Sequence, residues 1–131
     1  MPWLWNWGPA LLQMAAIFVL SSQSRLPSLP GGLTGVSGHF IGYFILAVAF
    51  VRGFARGRWT GVTARVATWA WVASAAYGAS DEFHQRFVPG RDSSIADWVT
   101  DLAGAAVGVA LALAWRRRMA RVEPEPGRRA V

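Results

Sequence analysis

The segment YGASDEFHQRFVPGRDSSIADWVTDLAGAAVG, residues 77–108, carries most of the information about this chain. It contains five of the seven acidic residues and one of the two histidines, and it joins two long apolar runs. Ionisable groups at the edge of, or inside, membrane-type segments are costly to place there, so by default they indicate function. The segment therefore predicts a polar site at one end of a largely apolar fold.

Composition supports a membrane protein. The chain has 131 residues, which is enough for one domain and too few for a second core. Apolar residues make up 53% and charged residues 15%, lysine is absent, and the charges lie between long apolar blocks. Such blocks are typical of membrane-spanning chains. Cysteine is also absent, which excludes disulfides, thiol catalysis and cysteine-based zinc sites.

Four apolar runs predict four helices, at about residues 5–20, 35–51, 62–79 and 95–115. Each run is long enough to span or nearly span a bilayer, and the second is the shortest. The first run is predicted to be a retained anchor, because no small-residue cleavage site follows it. We therefore predict an all-α fold: a polytopic membrane four-helix bundle.

Proline and glycine separate the runs, at residues 27–32, 53–61 and 89–90. The polar, proline-broken end of the chain is typical of disorder. These boundaries predict one transmembrane domain over residues 1–121 and a disordered C-terminal tail over residues 122–131.

The placement of arginine predicts the orientation. Arginines cluster after the second run and at the end of the fourth, whereas the other two connections hold only Arg25, Arg86 and Arg91. By the positive-inside rule, both termini and the middle loop are cytoplasmic. Topology and contact with anionic membrane lipids account for the arginines, so membrane lipids are the expected partners and nucleic acid is not.

This orientation brings both histidines and five acids to one face. The second run begins at the outer surface, the third ends there and the fourth begins there. We therefore predict a membrane protein with a net acidic site facing outside. The converging residues are His39, Asp81, Glu82, His84, Asp92, Asp97 and Asp101.

Helical spacing groups some of these side chains. His39 and Tyr43 are four residues apart and share a face of the second helix. Tyr77, Asp81 and either His84 or Gln85 follow the same rule if the third helix continues through them. Both sets are predicted to face the same polar site.

The fourth helix carries a stripe of acidic and small residues. Asp97, Asp101, Gly104 and Gly108 are spaced by four, three and four residues. Glycines four apart allow two helices to approach closely in a bilayer, and residues 38–42 have the same pattern in the second helix. The coincidence of glycines and acids predicts that Asp97 and Asp101 face the bundle.

Structural roles compete with functional ones at several positions. Ser94 and Asp97 form a capping-box pattern, so Asp97 is also explained as a helix cap. Asp101 lies one turn deeper, where no cap needs it. Residues 89–90 are typical of a turn, and Arg91 has the alternative role of offsetting the neighbouring aspartates.

Three kinds of chemistry fit the converging residues. His84 lies beside Asp81 and Glu82, and a carboxylate that orients an imidazole is what general acid–base catalysis requires. Two histidines with several carboxylates can bind zinc or manganese, although no known metal-binding spacing is present. Arg91 with a backbone turn can bind a phosphate-bearing headgroup. His39 alone is also explained by a hydrogen bond to a backbone carbonyl.

In combination, these residues resemble the VanZ-like family of small bacterial membrane proteins. The resemblance covers about residues 20–111. The matching motifs are Ser21-Ser-Gln-Ser24, His39-Phe40-x-x-Tyr43, Tyr77-x-x-x-Asp81-Glu82-x-His84-Gln85, Pro89-Gly90-Arg91 and Ser94-x-x-Asp97, followed by Gly104 and Gly108.

The resemblance implies a four-helix membrane protein of the cell envelope and a link to susceptibility to the glycopeptide teicoplanin. It supplies no mechanism. Family members often carry a lysine where this chain has residues 36–38, and Arg25 is a candidate to replace that cation. Many carry asparagine where this chain has Asp101, so the site here is more acidic.

We therefore predict an outward-facing polar site that binds or acts on an envelope component such as a lipid-linked cell-wall precursor. In an enzymatic version, Asp81 or Glu82 orients His84 as the acid–base group, and Arg91 holds an anionic headgroup. The sequence leaves enzyme status, cofactor, metal and oligomeric state open. The predicted catalytic residues are His84, Asp81, Glu82, His39 and Asp101, and the predicted substrate-binding residues are Arg91, Tyr43, Gln85 and Asp97.

Two other classes of protein remain as alternatives. One is a small proton-coupled transporter in which Asp101 and the histidines form a relay. The apolar stretch of residues 102–115 argues against it, because a relay needs ionisable groups at midplane depth. The other is a non-catalytic membrane partner protein that uses the outer face as a docking surface.

Overall fold

The computed structural model describes residues 2–24 and 35–122 and contains four long α-helices in that part of the chain. A short 3₁₀-helix, Trp59–Gly61, lies in the connection between the second and third helices. The helices are α1 (Pro2–Ser21), α2 (Gly35–Phe54), α3 (Ala64–Gln85) and α4 (Ile95–Val122). The predicted all-α fold is confirmed, and α3 does continue through the polar motif at its end.

Some predictions lie outside the described residues. They are the breaker at residues 27–32, Arg25 and the tail beyond Val122, which is the last residue of α4. The division into a domain and a disordered tail stays a prediction.

Three of the four described helices are long and apolar enough to cross a membrane, by length and composition: Pro2–Ser21, Gly35–Phe54 and Ile95–Arg121. The helix α3 has 22 residues but is not among them. Arg65 near its start and the acids near its end lower its mean hydropathy. The sequence predicted four runs that span or nearly span a bilayer, with the second as the weakest. The structure instead gives α2 as one of three apolar candidates and α3 as a more polar helix packed against α2 and α4.

The helix α2 is central and packs against the other three. Its contact with α4 is made at the glycines of the α4 stripe. A Cβ built at Gly104 would collide with the carbonyl oxygen of Phe40, and one at Gly108 would lie 2.8 Å from the carbonyl oxygen of Phe44. The predicted close approach through this pair is confirmed.

The glycines of α2 do not play the same role. A Cβ at Gly42 would meet only Ile17 of α1, at an ordinary distance of 3.9 Å, and both Gly38 and Gly42 line a cavity. At Gly42 the missing side chain thus borders a cavity and does not bring two backbones together.

Two tryptophans join α3 to α4 in a reciprocal way. The indole N–H of Trp71 donates to the carbonyl of Leu102 at 3.2 Å, and that of Trp98 donates to the carbonyl of Ala75 at 3.0 Å. These bonds run in opposite directions between antiparallel helices, so they fix how far one helix can slide along the other. They hold the end of α3 beside the start of α4.

The helices alternate in direction, so one end of the bundle collects the end of α1, the start of α2, the end of α3 and the start of α4. Side-chain contacts establish this arrangement: Ser22 of α1 meets His84 of α3, and His39 of α2 meets Asp101 of α4. We call this the acidic end. The opposite end carries most of the described arginines, and we call it the arginine end.

Candidate functional site

A cavity of about 250 Å³ opens at the acidic end, between α1, α2, α3 and the connection before α4. Apolar residues of α1 and glycines of α2 form much of its wall. Polar side chains from four parts of the chain converge on it: Gln13, Ser21, His39, Tyr43, Asp81, Gln85 and Arg91.

A polar contact beside this cavity joins α2 to α4. The Nδ1 atom of His39 lies 2.9 Å from Oδ1 of Asp101. Asp101 is only 1% exposed, and its Oδ2 has no hydrogen-bond partner in the described part of the chain. The prediction that Asp101 faces the bundle is confirmed, and His39 is held by this carboxylate rather than by a backbone carbonyl.

Gly78 of α3 makes room for this pair. A Cβ at this position would lie 3.2 Å from Oδ2 of Asp101 and equally close to the ring of Tyr43. A side chain here would push into the space beside the carboxylate. Because residues four apart share a helix face, Gly78 and Glu82 present one stripe of α3 to Asp101.

Glu82 is bound on one side only. It is 7% exposed, and its Oε2 accepts the backbone N–H of Ser94 at 2.9 Å. In a capping box, that N–H is bonded by the side chain three residues into the helix, which in α4 is Asp97. Glu82 takes this role from another helix, and its Oε1 has no partner among the described residues. The Ser94 hydroxyl completes the cap by accepting from the N–H of Ala96 at 3.1 Å.

Asp81 follows the same pattern. It is 4% exposed, and its Oδ2 accepts from the side-chain amide of Gln85 at 3.1 Å. Its Oδ1 is buried with no partner in the described structure. Since both residues line the cavity, Asp81 presents a carboxylate to it while Gln85 fixes the rotamer.

Two further cavity residues have unpartnered polar atoms. The hydroxyl of Tyr43 and the Nε of Arg91 are both buried, and neither has a hydrogen-bond partner within residues 2–24 and 35–122. Arg91 follows a turn at Pro89 and Gly90, in which the Arg91 N–H donates to the carbonyl of Val88 at 3.1 Å. Gly90 has a φ of 78°, as the third position of a type II turn requires, so the predicted turn is confirmed.

His84 is not joined to the acids beside it in the sequence. Its Nε2 lies 3.1 Å from the hydroxyl of Ser22, and its ring lies against Phe18 with centroids 4.7 Å apart. In the described structure no carboxylate lies within salt-bridge distance of it. The prediction that Asp81 or Glu82 orients His84 is therefore wrong, because the helical turn directs His84 toward α1, Asp81 into the cavity and Glu82 toward the start of α4.

The contact between His84 and Ser22 does not resemble an activated nucleophile. The Ser22 hydroxyl donates to the carbonyl of Phe18 at 2.6 Å. A serine hydroxyl has a single hydrogen to donate, so Ser22 accepts from His84. The histidine therefore does not withdraw a proton from Ser22 in this arrangement.

Asp97 is less buried than Asp81, Glu82 and Asp101. It is half-buried in the first turn of α4 and has no hydrogen-bond partner among the described residues. Asp92, in the preceding connection, is exposed. The stripe predicted on α4 is thus divided: Asp101 belongs to the site, and Asp97 occupies its border.

Two site residues were missed from the sequence. Gln13 of α1 donates from its side-chain amide to the carbonyl of Gly42 at 3.0 Å, and Ser21 is buried at the end of α1. Both line the cavity. A polar amide inside an otherwise apolar run was the available signal for Gln13.

One group of side chains has the spacing of a metal site. One potential ligand atom each from His39, Glu82 and Asp101 lies within 4.8 Å of the others. All three residues were predicted as site residues, and they come from three different helices. We call these three the buried triad.

Comparison with known proteins agrees with the motifs. A family model described as VanZ/LLP1 matches residues 11–116, which confirms the resemblance drawn from the sequence. No curated protein matches the chain. No solved structure matches it either.

Proposed function

The chain belongs to the VanZ/LLP1 family of membrane proteins, and on that premise we propose that its cavity binds the anionic headgroup of a cell-envelope lipid. The observation that carries the proposal is Arg91, whose Nε is buried and unpartnered in the described residues while the side chain lines the cavity. A guanidinium stays charged and presents donors that match phosphate oxygens. A phosphate in the cavity supplies an acceptor for this Nε–H group.

The walls of the cavity suit the rest of a lipid. Three residues of α1 contribute apolar surface: Ala16, Ile17 and Leu20. On the opposite side, Gly38 and Gly42 of α2 have no side chain to fill the cavity. Sites for small molecules are mostly apolar, with a few placed polar groups that fix orientation. An acyl or isoprenoid chain can therefore lie between α1 and α2 while its headgroup meets Arg91.

The remaining polar groups favour a headgroup that also carries hydrogen-bond donors. The free Oδ1 of Asp81 accepts hydrogen bonds, and the Tyr43 hydroxyl both donates and accepts. A bare phosphate would meet the Asp81 carboxylate unfavourably, whereas sugar hydroxyls beside the phosphate would satisfy it. A lipid-linked cell-wall precursor has both features, so it is the ligand class that we propose.

The proposed orientation places the cavity on the outer side of the bacterial cytoplasmic membrane. The positive-inside rule supports it, because the arginine-rich connection after α2 and the arginine-rich end of α4 lie at the other end of the bundle. A protein that holds a cell-wall precursor at the outer face changes how much of it a glycopeptide can reach. We therefore expect an influence on teicoplanin susceptibility.

Binding is proposed rather than catalysis. The one serine–histidine contact of the described structure has its hydroxyl hydrogen donated elsewhere, to Phe18. The buried carboxylates have roles in holding helices together. A binding site needs only the unpartnered groups at the cavity.

The direct test measures lipid binding by the full chain in lipid nanodiscs. A polyprenyl phosphate carrying one sugar is the probe, and native mass spectrometry counts the bound lipid. We expect Arg91→Ala to weaken binding by about tenfold or more, since a hydrogen bond to a charged group contributes about 1.5–3 kcal/mol. Arg86→Ala is the matched control, because Arg86 is exposed and does not line the cavity.

Equal binding by the wild type and Arg91→Ala, or an equal loss in Arg86→Ala, would contradict the proposal. In cells, the same three proteins are compared for teicoplanin and vancomycin susceptibility at matched membrane levels. We expect any protection by the wild type to persist in Arg86→Ala and to be lost in Arg91→Ala.

A further inference from the structure

We propose that the buried triad of His39, Glu82 and Asp101 binds a divalent metal ion of the Mn²⁺ or Zn²⁺ type. This inference is independent of the lipid proposal, since none of the three residues is Arg91 and two of them do not line the cavity. It rests on unpartnered oxygens, on charge balance and on distance.

The first observation concerns the oxygens of the carboxylates. Asp101 binds His39 with one oxygen, and Glu82 binds the Ser94 N–H with one oxygen. In each case the second oxygen is buried with no partner in the described structure. Buried polar atoms are normally satisfied, so two such oxygens in residues 1% and 7% exposed require an explanation.

The second observation concerns charge. The chain has no lysine, and in the described residues the single ion pair is that of His39 with Asp101. Including Asp81, three carboxylates lie buried at this end of the bundle, and the basic groups beside the cavity are the imidazole of His39 and the guanidinium of Arg91. Buried charges are normally paired or coordinate a metal, and a divalent cation offsets this excess of negative charge.

The third observation concerns geometry. The potential ligand atoms lie within 4.8 Å of one another. Ligands bound to one ion at about 2.0–2.6 Å stand up to about 5 Å apart. The triad is thus already close to the spacing that an ion requires. Gly78 keeps a Cβ away from the free oxygen of Asp101, which leaves space on that side.

The donor types indicate which ions fit. Carboxylates suit Mg²⁺, Ca²⁺ and Mn²⁺, whereas imidazole suits zinc and other transition metals. One imidazole with two carboxylates favours an ion that accepts both. A carboxylate bound to one ring nitrogen also fixes the orientation of a metal-binding histidine, and Asp101 already holds Nδ1 of His39.

The test uses the full chain, purified in detergent, stripped with a chelator and titrated with Mn²⁺. Electron paramagnetic resonance follows free Mn²⁺, and elemental analysis after dialysis against Zn²⁺ gives the stoichiometry. We expect one ion per chain in the wild type. Asp101→Asn and Glu82→Gln should each weaken binding at least tenfold.

These two variants separate a metal site from a purely structural role. An amide oxygen can still accept from His39 or from the Ser94 N–H, so both helix contacts persist while the negative charge is lost. Asp97→Asn and His84→Gln are the matched controls, because they change the same residue types outside the triad. Both should bind the ion as the wild type does.

Binding also raises the unfolding temperature, because the ion binds the folded state alone. We expect added Mn²⁺ or Zn²⁺ to raise it in the wild type, Asp97→Asn and Arg91→Ala, and not in Glu82→Gln. No binding by the wild type above a protein-free detergent blank would overturn the proposal. Binding that survives in Asp101→Asn and Glu82→Gln, or that is lost equally in Asp97→Asn, would also overturn it.

Discussion

The two ends of this bundle differ in whether their charged side chains are exposed or buried. At the arginine end, Arg52 donates to the carbonyl of Trp5 at 3.3 Å and lies over its ring at 5.0 Å, and Arg56, Arg58 and most arginines of α4 are exposed. At the acidic end, three carboxylates are buried. Most of the charge at the arginine end is exposed, whereas the charge of these three carboxylates at the acidic end is enclosed by the protein.

The difference separates charge that serves topology from charge that serves a site. An exposed arginine near a membrane surface contributes to orientation at little cost. A buried carboxylate with an unpartnered oxygen destabilises the fold unless something else binds it. The acidic end is therefore the end at which a ligand or ion is expected.

The largest expected effect concerns which side of the membrane each end of the bundle faces. The chain has no cysteine, so single-cysteine variants give unambiguous labels. Asp92→Cys, exposed at the acidic end, should react with a membrane-impermeant maleimide on intact cells. Thr60→Cys, exposed at the arginine end, should react only after the cells are permeabilised. The reverse pattern would invert the predicted topology and place the cavity inside.

The two histidines are expected to differ in how much they contribute to stability. His39→Ala leaves the Asp101 carboxylate buried without its partner, so we expect a loss of about 3–5 kcal/mol in the free energy of unfolding. His84→Ala removes one exposed hydrogen bond to Ser22 and should cost about 1 kcal/mol or less. Denaturant unfolding in detergent measures the free energy of unfolding of both variants. Similar losses would show that the buried pair of His39 and Asp101 contributes no more to stability than the exposed hydrogen bond of His84.

The next largest expected effect is a loss of stability when Gly104 is given a side chain. Gly104→Ala places a Cβ against the carbonyl of Phe40, and overpacking of this kind costs about 1–3 kcal/mol. Gly8→Ala is the control, because a Cβ there meets nothing within 4 Å. It should be neutral or stabilising, since alanine favours helix. A stable Gly104→Ala protein with an unchanged unfolding curve would contradict the close contact of α2 and α4.

The smallest expected effect concerns the tryptophans. Trp98→Phe removes the hydrogen bond to the carbonyl of Ala75 and should lower the free energy of unfolding by about 1 kcal/mol. Trp59→Phe, at the arginine end, changes an exposed side chain and should have no measurable effect. Equal effects would indicate that the indole N–H of Trp98 contributes nothing at the acidic end.

The spacing of residues along single helices predicted which side chains share a helix face. The shared faces of His39 with Tyr43 and of Asp81 with Gln85, and the glycine stripe of α4, depend on spacing within one helix, which a sequence displays directly. The end at which the acids collect followed from the alternation of apolar runs.

Contacts between helices were less accessible from the sequence. Asp81, Glu82 and His84 are neighbours in the chain, so a shared role was inferred. The helical turn instead directs Asp81 into the cavity, Glu82 toward the start of α4 and His84 toward α1. The cap of α4 is similar: Asp97 has the expected spacing, but Glu82 of α3 makes the bond. Such exchanges depend on how helices pack, and spacing within one helix does not reveal that.

If the buried triad binds a metal ion as proposed, the contact at Gly104 and Gly108 would affect which size of ion fits. His39 precedes Phe40 by one residue and Asp101 precedes Gly104 by three, so the separation of the α2 and α4 axes sets how far apart the imidazole and the carboxylate stand. The radii that distinguish Mg²⁺ from Ca²⁺ change ligand distances by roughly 0.4 Å. Residues that touch no ligand would thereby govern which cation the protein prefers, through the width of the gap between two backbones.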